Sequence, residues 1–420
     1  MKVLWTANLI PANLSVKLNL PSEVLGGWVE SMAKQLSKFD NLELAIACKS
    51  ESSEIFKESL DGVTYFSLNY FSTNVFDTLV SRCINIISDF NPDIIHIEGT
   101  EFIHSKAMLC AAKQKNIPAV VSMQGILNGY YNYQCGNLQI DDMMCSKSLT
   151  NIFSAWILHL RKTKWFKPRM KSEKEIIENA DYILGRTTWD RAHSYAINPN
   201  AKYYPCSRIL RAPFYEEKWS LDKAERHSIY VGNGYNALKG LHFVVMALPY
   251  LVREYPNVKV YVAGYKPYQE NDKRSILKKG YAAYLKKLIY DLGMQDYIEF
   301  TGPLKAPQVA ERLSKVNAYV LSSTIENSPN TLGEAMMVGT PCVASYVGGV
   351  SDMAEDGKEA LFYRNDDPKL LAWNLKRIFD DNDLALKLSE NGKKKARFTH
   401  DAQRNAQLLV YAYKDILSQR

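Results

Sequence analysis

Residues 322–345 read SSTIENSPNTLGEAMMVGTPCVAS, and this stretch decides the fold. It follows an apolar run, Ala318–Leu321, that predicts a β-strand, and Pro329 stands near the start of the next helix, where a missing N–H costs nothing. The first backbone amides of that helix should point beyond the carboxyl end of the strand and form an anion site suited to phosphate. These amides belong to Asn330, Thr331 and Leu332.

Two glutamates bracket the predicted helix start. Glu326 lies in the loop and Glu334 in the first turns of the helix, so both can face a ligand seated there. A carboxylate accepts two hydroxyls at once, which suits the diol of a ribose or a hexose. The alternative is that Glu334 is only an acid favoured by the helix dipole and Glu326 only a solvated loop residue.

Short apolar and β-branched runs alternate with segments of helical period through most of the chain, which is typical of parallel sheets with crossover helices. The series begins at Val3–Asn8 and starts again at Ser228–Val231. This restart predicts two α/β domains rather than one long sheet. The predicted division is residues 1–205, a linker 206–226, residues 227–400, and a last helix, 401–420, that crosses back to the first domain.

Composition narrows the class of protein. The chain has 420 residues, enough for two buried cores, and an apolar content of 46%. No uncharged apolar stretch reaches the roughly 18 to 20 residues that cross a bilayer, and MKVLWTANLI at the start predicts a strand rather than a signal peptide. The seven cysteines include no CxxC pair, which argues against structural zinc. A net charge of +7 favours anionic partners.

The glutamates have E-x7-E spacing, and AMMVGTPCVASYVGG follows the second. This combination resembles the signature of the family 4 retaining glycosyltransferases, and the resemblance covers most of the second half of the chain. It implies an α/β fold of GT-B architecture, with two Rossmann-like domains facing a cleft: residues 1–205 form the acceptor-side domain and residues 227–400 the domain of the nucleotide-sugar donor. It also implies that Glu326 contacts hydroxyls of a donor sugar, that Glu334 contacts those of a ribose, and that the helix amides meet the donor's sugar and phosphates.

A second candidate loop lies in YVGNGYNALKGLHFVV, residues 230–245. Gly232 permits a close approach of the backbone, and Lys239 can reach a diphosphate as a point charge. In the resembling family this loop carries an arginine and a lysine that neutralise the leaving diphosphate. Lys239 matches the lysine, but Asn233 stands where the arginine is expected. The candidates for the missing charge are Arg186 and Arg211.

The first half offers weaker candidates. Gly26 and Gly27 form a pair at a predicted helix start, which is either a phosphate cradle or a plain flexible turn. The resembling family places a glycine loop over the donor phosphates at this position. Gln124 stands where many members carry a histidine, and it can hydrogen-bond a sugar but cannot relay a proton. His96 and His104 are candidate bases, with ordinary core or capping histidines as the alternative.

The segment Ser146–Lys171 contains seven Lys or Arg, no Asp or Glu, and several aromatic side chains. Such a stretch suits a membrane interface, where cations meet anionic lipid and rings lie at headgroup depth. The alternative is a helix that faces the core and solvates its basic residues. Nucleic acid is not an expected partner, because no recognised binding module accompanies the charge.

The sequence therefore predicts a transferase that moves a hexose or N-acetylhexosamine from a nucleotide diphosphate sugar to a saccharide or lipid-linked saccharide, with retention. The nucleotide sugar is a co-substrate, and neither another cofactor nor a metal is expected. We expect a role in surface polysaccharide biosynthesis, and a location in the cytoplasm or on the inner face of the cell membrane. The alternatives are a nucleotide-sugar epimerase of the same architecture and a non-catalytic nucleotide-sugar-binding protein.

Overall fold

The computed structural model describes residues 1–19, 27–50, 56–69, 75–139, 142, 160, 164, 166–267 and 276–419. The chain divides into two compact units, each built on a parallel sheet, and the predicted α/β class is confirmed. Unit 1 comprises Met1–Gly129, Lys167–Arg211 and His400–Arg420; unit 2 comprises Tyr130–Phe166 and Ala212–Thr399. Within the described ranges, no helix has the length and apolar character of a membrane span.

Unit 1 contains an eight-stranded sheet in the order β3-β4-β2-β1-β5-β6-β7-β8, parallel except for the edge pair β3–β4. Its strands are β1 (Lys2–Ala7), β2 (Glu43–Ser50), β3 (Lys57–Leu60), β4 (Val63–Asn69), β5 (Ile94–Glu98), β6 (Ala119–Ser122), β7 (Tyr182–Gly185) and β8 (Lys202–Pro205). Its helices are α1 (Ala12–Lys17), α2 (Gly27–Leu36), α3 (Val75–Phe90), α4 (Ile103–Gln114), α5 (Leu127–Tyr130), α6 (Lys167–Glu178), α7 (Thr188–Ile197) and α16 (Ala402–Ser418).

The core of unit 1 has two halves, one on each face of the sheet, because side chains alternate along a strand. Leu4 packs on one face with buried residues of α3 and α4. Val3 and Trp5 pack on the other face with buried residues of α2 and α16. The last helix of the chain therefore completes the core that the first strand begins.

Unit 2 contains a six-stranded parallel sheet in the order β11-β10-β9-β12-β13-β14. Its strands are β9 (Glu225–Val231), β10 (Lys259–Val262), β11 (Ile298–Phe300), β12 (Val316–Leu321), β13 (Cys342–Ser345) and β14 (Leu361–Tyr363). Its helices are α8 (Pro213–Glu216), α9 (Leu241–Val252), α10 (Ile276–Asp291), α11 (Ala306–Lys315), α12 (Asn330–Val338), α13 (Val350–Met353), α14 (Pro368–Asp380) and α15 (Asn382–Thr399).

The first strand of each unit lies inside its sheet, and the chain extends the sheet first on one side of that strand and then on the other. In unit 1 the direction changes between β1 and β5, and in unit 2 between β9 and β12. Loops diverge at such a switch point and leave a crevice beyond the carboxyl ends of the strands, which is where ligands bind in open α/β sheets. The topology thus marks one crevice in each unit.

Tyr413 connects α16 to the first strand of unit 1. Its buried hydroxyl accepts a 2.9 Å hydrogen bond from Nε1 of Trp5 and lies 2.5 Å from Nδ1 of His96. We expect Tyr413→Phe to lower the free energy of unfolding by about 1–3 kcal/mol, because the buried indole N–H loses its acceptor. Tyr411→Phe, on the exposed side of the same helix, should change it by less than about 0.5 kcal/mol. Urea denaturation followed by tryptophan fluorescence measures both, and equal losses would contradict the role of this hydroxyl.

Candidate functional site

Three loops meet at the carboxyl edge of the unit 2 sheet, following β9, β12 and β13. The loop after β9 approaches the start of α12, since a Cβ on Gly232 would lie 3.5 Å from Cγ2 of Thr331. The strands β9 and β12 are paired directly, with Tyr230 opposite Tyr319. The loop after β9 and the start of α12 lie about a hundred residues apart in sequence. They are therefore brought together at the switch point by the pairing of the strands.

The loop after β12 is fixed by hydrogen bonds to both neighbouring segments. The hydroxyl of Ser322 donates to the Lys239 carbonyl at 2.7 Å, and the Thr324 amide donates to the Leu238 carbonyl at 2.8 Å. On the other side, the hydroxyl of Ser345 donates to the Ser323 carbonyl at 2.7 Å. These bonds hold the loop in one conformation without any ligand.

Two glycines allow this close packing of backbone on backbone. Gly240 has φ +67°, and a Cβ there would lie 1.8 Å from the carbonyl oxygen of Ser322. Gly348 has φ +51°, and a Cβ there would lie 1.9 Å from the carbonyl oxygen of Glu326. Both the left-handed backbone and the contact exclude other residues. The next amide, that of Gly349, donates to the same Glu326 carbonyl at 3.0 Å.

Lys239 and Glu326 form an ion pair at the centre of this edge. Nζ of Lys239 lies 2.5 Å from Oε1 of Glu326, and the hydroxyl of Ser323 donates to the same oxygen at 2.7 Å. The side chains of the lysine and the glutamate are 31% and 11% exposed. The bonds from Lys239 and Ser323 both end on Oε1. Oε2 and the remaining ammonium protons can therefore bind a polar ligand.

The start of α12 carries fewer open amides than the sequence predicts. The Leu332 amide donates to the Pro329 carbonyl at 3.1 Å, so the expectation that it is open is wrong. The first turn tightens to an i→i+3 bond, a common way to satisfy amides at a helix end. The amides of Asn330 and Thr331 have no acceptor among the described residues. Glu334 follows on the same helix and is buried.

The segment of unit 2 that begins at Tyr130, the last residue of α5, also contacts the loop after β12, although it is far away in sequence. The Asn327 amide donates to the Tyr130 hydroxyl at 3.1 Å, and the Thr324 hydroxyl donates to the Tyr133 carbonyl at 3.2 Å. His242 anchors the segment, because its Nε2 donates to the Gly136 carbonyl at 3.0 Å. Burial lowers the pKa of His242 to about 4, so the ring is neutral near pH 7. Sequence reasoning does not find these contacts.

Asn233, also predicted to belong to the site, lies at the surface in the loop after β9. The side-chain oxygen of Asn233 accepts from the Tyr235 amide at 2.9 Å, a local turn. Arg186 and Arg211, the candidates for the missing cation, both belong to unit 1. The guanidinium group of Arg186 donates to the carbonyls of Met123 and Gln124, each at 2.6 Å. Its charge is thus already solvated by backbone oxygens.

The candidates from the first half lie in unit 1. Gly27 is the first residue of α2, whereas Gly26 lies outside the described residues. The side chain of Gln124 donates to Glu98 at 3.3 Å. His96 is buried, with Nε2 3.3 Å from Glu98, and His104 is buried as well. Both histidines are buried, as expected for ordinary core histidines, the alternative to catalytic bases.

This architecture and the loop arrangement define a class. Residues 212–395, the part of the chain that carries Lys239, Glu326 and α12, match the family Glycosyl transferases group 1. The fold is that of the GT-B glycosyltransferases. Sucrose-phosphate synthase from Thermosynechococcus elongatus has a TM-score of 0.74 at 16% identity, over 100% of both chains.

HepE from Anabaena, solved with UDP and with UDP-glucose, gives TM-scores of 0.70 and 0.69 at 14% identity, over 99% of this chain and 100% of that one. Among curated relatives, mannosylfructose-phosphate synthase from Agrobacterium fabrum is 27% identical over 247 residues, 55% of this chain and 52% of that protein. The first curated relatives are matched along 42%, 45% and 52% of their lengths, so the chain spans about half of each.

Gly348 offers a test of the loop packing against a matched glycine. Gly357 also has a left-handed backbone, φ +72°, but a Cβ there meets nothing within 4 Å. We expect Gly357→Ala to cost about 1–2 kcal/mol of stability from backbone strain alone. Gly348→Ala should cost at least about 1 kcal/mol more, because the Glu326 carbonyl must also move. Urea denaturation of both variants measures the difference, and equal losses would contradict the tight packing.

Proposed function

We propose that this chain transfers a hexose or N-acetylhexosamine from a nucleotide diphosphate sugar to a saccharide or lipid-linked saccharide, with retention. The observation that carries the proposal is the meeting of Lys239, Glu326 and the start of α12 at the unit 2 switch point, inside the region that matches the family Glycosyl transferases group 1. One cation, one carboxylate and open helix amides at one crevice match the phosphates and hydroxyls of a nucleotide sugar.

Lys239 and the helix start act on the diphosphate. As the glycosidic bond breaks, negative charge develops on the leaving nucleoside diphosphate and needs donors already in place. The Lys239 ammonium keeps protons beyond the one shared with Glu326, and the amides of Asn330 and Thr331 point from the positive end of α12. These groups replace a metal ion, although Asn233 supplies no charge where the resembling family has arginine.

The two glutamates act on hydroxyl groups. Glu326 accepts from the donor sugar through Oε2, while Lys239 and Ser323 hold Oε1 and so fix the carboxylate plane. Glu334 accepts from the ribose diol. The acceptor binds without a protein base, since the leaving phosphate receives its proton in the mechanism that the resemblance implies.

A screen of nucleotide sugars by mass spectrometry tests the activity. The full chain is incubated with each labelled donor, alone and with a membrane extract as acceptor source. Transfer that requires the extract supports the proposal. A 2-epimer formed from donor alone would establish the epimerase instead, and tight nucleotide binding with no product under any condition would establish a non-catalytic binding protein.

Substitutions at the two glutamates separate binding from turnover. Glu334→Gln should weaken nucleoside diphosphate binding by about tenfold or more, since a charge-assisted hydrogen bond contributes about 1.5–3 kcal/mol. Glu326→Gln should mainly lower kcat. Glu311→Gln, which changes an exposed side chain on α11, is the control and should leave both unchanged. Calorimetry and transfer kinetics give the two readouts, and wild-type values in both site variants would remove the donor-site assignment.

Membrane association through Ser146–Lys171 is part of the proposal, although most of this segment lies outside the described residues. Replacing Lys162, Trp165 and Phe166 together by alanine should reduce binding to vesicles with anionic lipid, because each lysine near such a surface contributes about 1 kcal/mol. Lys115→Ala, an exposed lysine elsewhere, should not. Vesicle flotation measures both, and unchanged flotation of the triple variant would refute membrane binding.

A further inference from the structure

Residues 130–136 form a short segment of unit 2 that we call the strap. It begins at Tyr130, the last residue of α5, and continues through a 3₁₀ turn, Tyr131–Tyr133. The strap contacts two segments of the same unit. One is the loop after β12, which carries Glu326, and the other is the sequence Ala237–His242, which carries Lys239. The strap therefore touches both segments from which the ion pair extends.

The first part of the strap holds the loop after β12 on both sides of Glu326. The Asn327 amide donates to the Tyr130 hydroxyl at 3.1 Å, and the Thr324 hydroxyl lies 3.2 Å from the Tyr133 carbonyl. Thr324 and Asn327 are each only 1% exposed. Water cannot readily replace a hydrogen bond that is lost at such a position, so these bonds restrain the backbone of the loop.

The last residue of the strap is fixed on the segment that carries Lys239. Gly136 has φ +63°, and a Cβ there would lie 2.2 Å from the carbonyl oxygen of Ala237. Nε2 of His242 donates to the Gly136 carbonyl at 3.0 Å, and Nδ1 of the same ring lies 3.3 Å from the Tyr281 hydroxyl. Because the neutral ring has one N–H, Nδ1 accepts from that hydroxyl. His242 thus ties the strap to the interior of unit 2.

The hydroxyl of Thr324 lies where the strap and both segments meet. It is 3.2 Å from the Tyr133 carbonyl and also 3.2 Å from the Leu238 carbonyl, which accepts from the Thr324 amide as well. Movement of the strap therefore disturbs the contact between the loop and the residue before Lys239. A displacement of about 1 Å at a reacting group can lower a rate by about a hundredfold, so such restraint matters for catalysis.

We infer that the strap positions the carboxylate of Glu326 against Lys239 for sugar transfer, and that Tyr130 is a positioning residue of this reaction. Tyr130 acts through the amide of Asn327, the residue that directly follows Glu326. The inference rests on the proposed function, because it concerns the role of Glu326 toward the donor sugar. It requires no contact between the strap and a ligand.

Amide hydrogen exchange on the full chain, without ligand, tests whether the Tyr130 hydroxyl restrains the loop. Tyr130→Phe keeps the ring and removes the acceptor, so exchange of the Asn327 amide should become about two- to tenfold faster, as expected for the loss of one neutral hydrogen bond. Tyr290→Phe, an exposed tyrosine of the same unit, is the matched control and should leave this exchange unchanged. Unchanged exchange in Tyr130→Phe, or an equal increase in Tyr290→Phe, overturns the inference.

Transfer kinetics test whether this restraint acts through Glu326. In Tyr130→Phe, kcat should fall by about two- to tenfold, in line with the loss of that hydrogen bond. Affinity for the free nucleoside diphosphate, measured by calorimetry, should not change, because this ligand lacks the sugar that Glu326 contacts. When Glu326→Gln is already present, Tyr130→Phe should cause no further loss of kcat, since two changes that act through one group are not additive.

The kinetic outcomes separate this inference from the proposed function. Wild-type kcat in Tyr130→Phe, or fully additive losses in the double variant, would overturn the role of Tyr130 while transfer by the unmodified chain still stands. Absence of transfer by the unmodified chain in the donor screen would remove the proposed function. The exchange of the Asn327 amide would then decide alone whether the strap restrains the loop.

Discussion

The carbonyl groups of the loop 322–326 are the constraint on which the unit 2 site depends. Ser322 and Glu326 each present a carbonyl oxygen where only glycine can pack, at Gly240 and Gly348. The loop after β12 is therefore enclosed by its two neighbours before any side chain is considered. Those neighbours follow β9 and β13, which are both paired with β12. The register of the strands therefore fixes the position of the loop. Glu326 is placed by backbone geometry, and its side chain only has to select a rotamer.

The ion pair of Lys239 and Glu326 contributes more to geometry than to stability. Partly exposed pairs contribute about 0–1 kcal/mol, since desolvation and side-chain entropy offset the Coulomb attraction. Ser323 binds the same carboxylate oxygen, so the plane of the group is fixed by two donors. A pre-set carboxylate and ammonium need little reorganisation when a charged ligand arrives, which is the condition for electrostatic stabilisation of a leaving group.

The sequence signal is strong for the interior strands of each sheet and weak for three of the four edge strands. The three weak strands are β3, β8 and β14. Edge strands are covered on fewer sides, so β3 and β8 include polar or charged residues, and β14 is only three residues long. β3 and β8 lack the apolar run that identifies a buried parallel strand, and the apolar run of β14 is short.

The same reasoning explains which site residues were predictable. Glu326 and the start of α12 follow directly after β12 in the chain. The order strand, loop, helix is therefore enough to predict that they lie at the carboxyl edge of the sheet. The Leu332 amide was misjudged because a tightened first turn leaves no mark in composition. Tyr130 contacts Asn327 across 197 residues, and no spacing rule spans such a distance. Arg169 and Lys171 belong to the basic segment 146–171, and a count of charges does not show that these two residues also line a cavity of unit 1.

The two units share one sheet topology but differ in the polar groups beyond their strands. In unit 2 the switch point offers backbone amides and a single lysine, whose positions are fixed to the sheet. In unit 1 it offers side-chain cations from β2, α4 and α6, with unpartnered oxygens between them. Amides at a helix start suit an anion that always sits in the same place, such as a diphosphate. Long cationic side chains adapt to an anion whose position varies with the molecule that carries it. The sheet therefore determines where each crevice lies, and the residues beyond its strands determine which polar groups face that crevice.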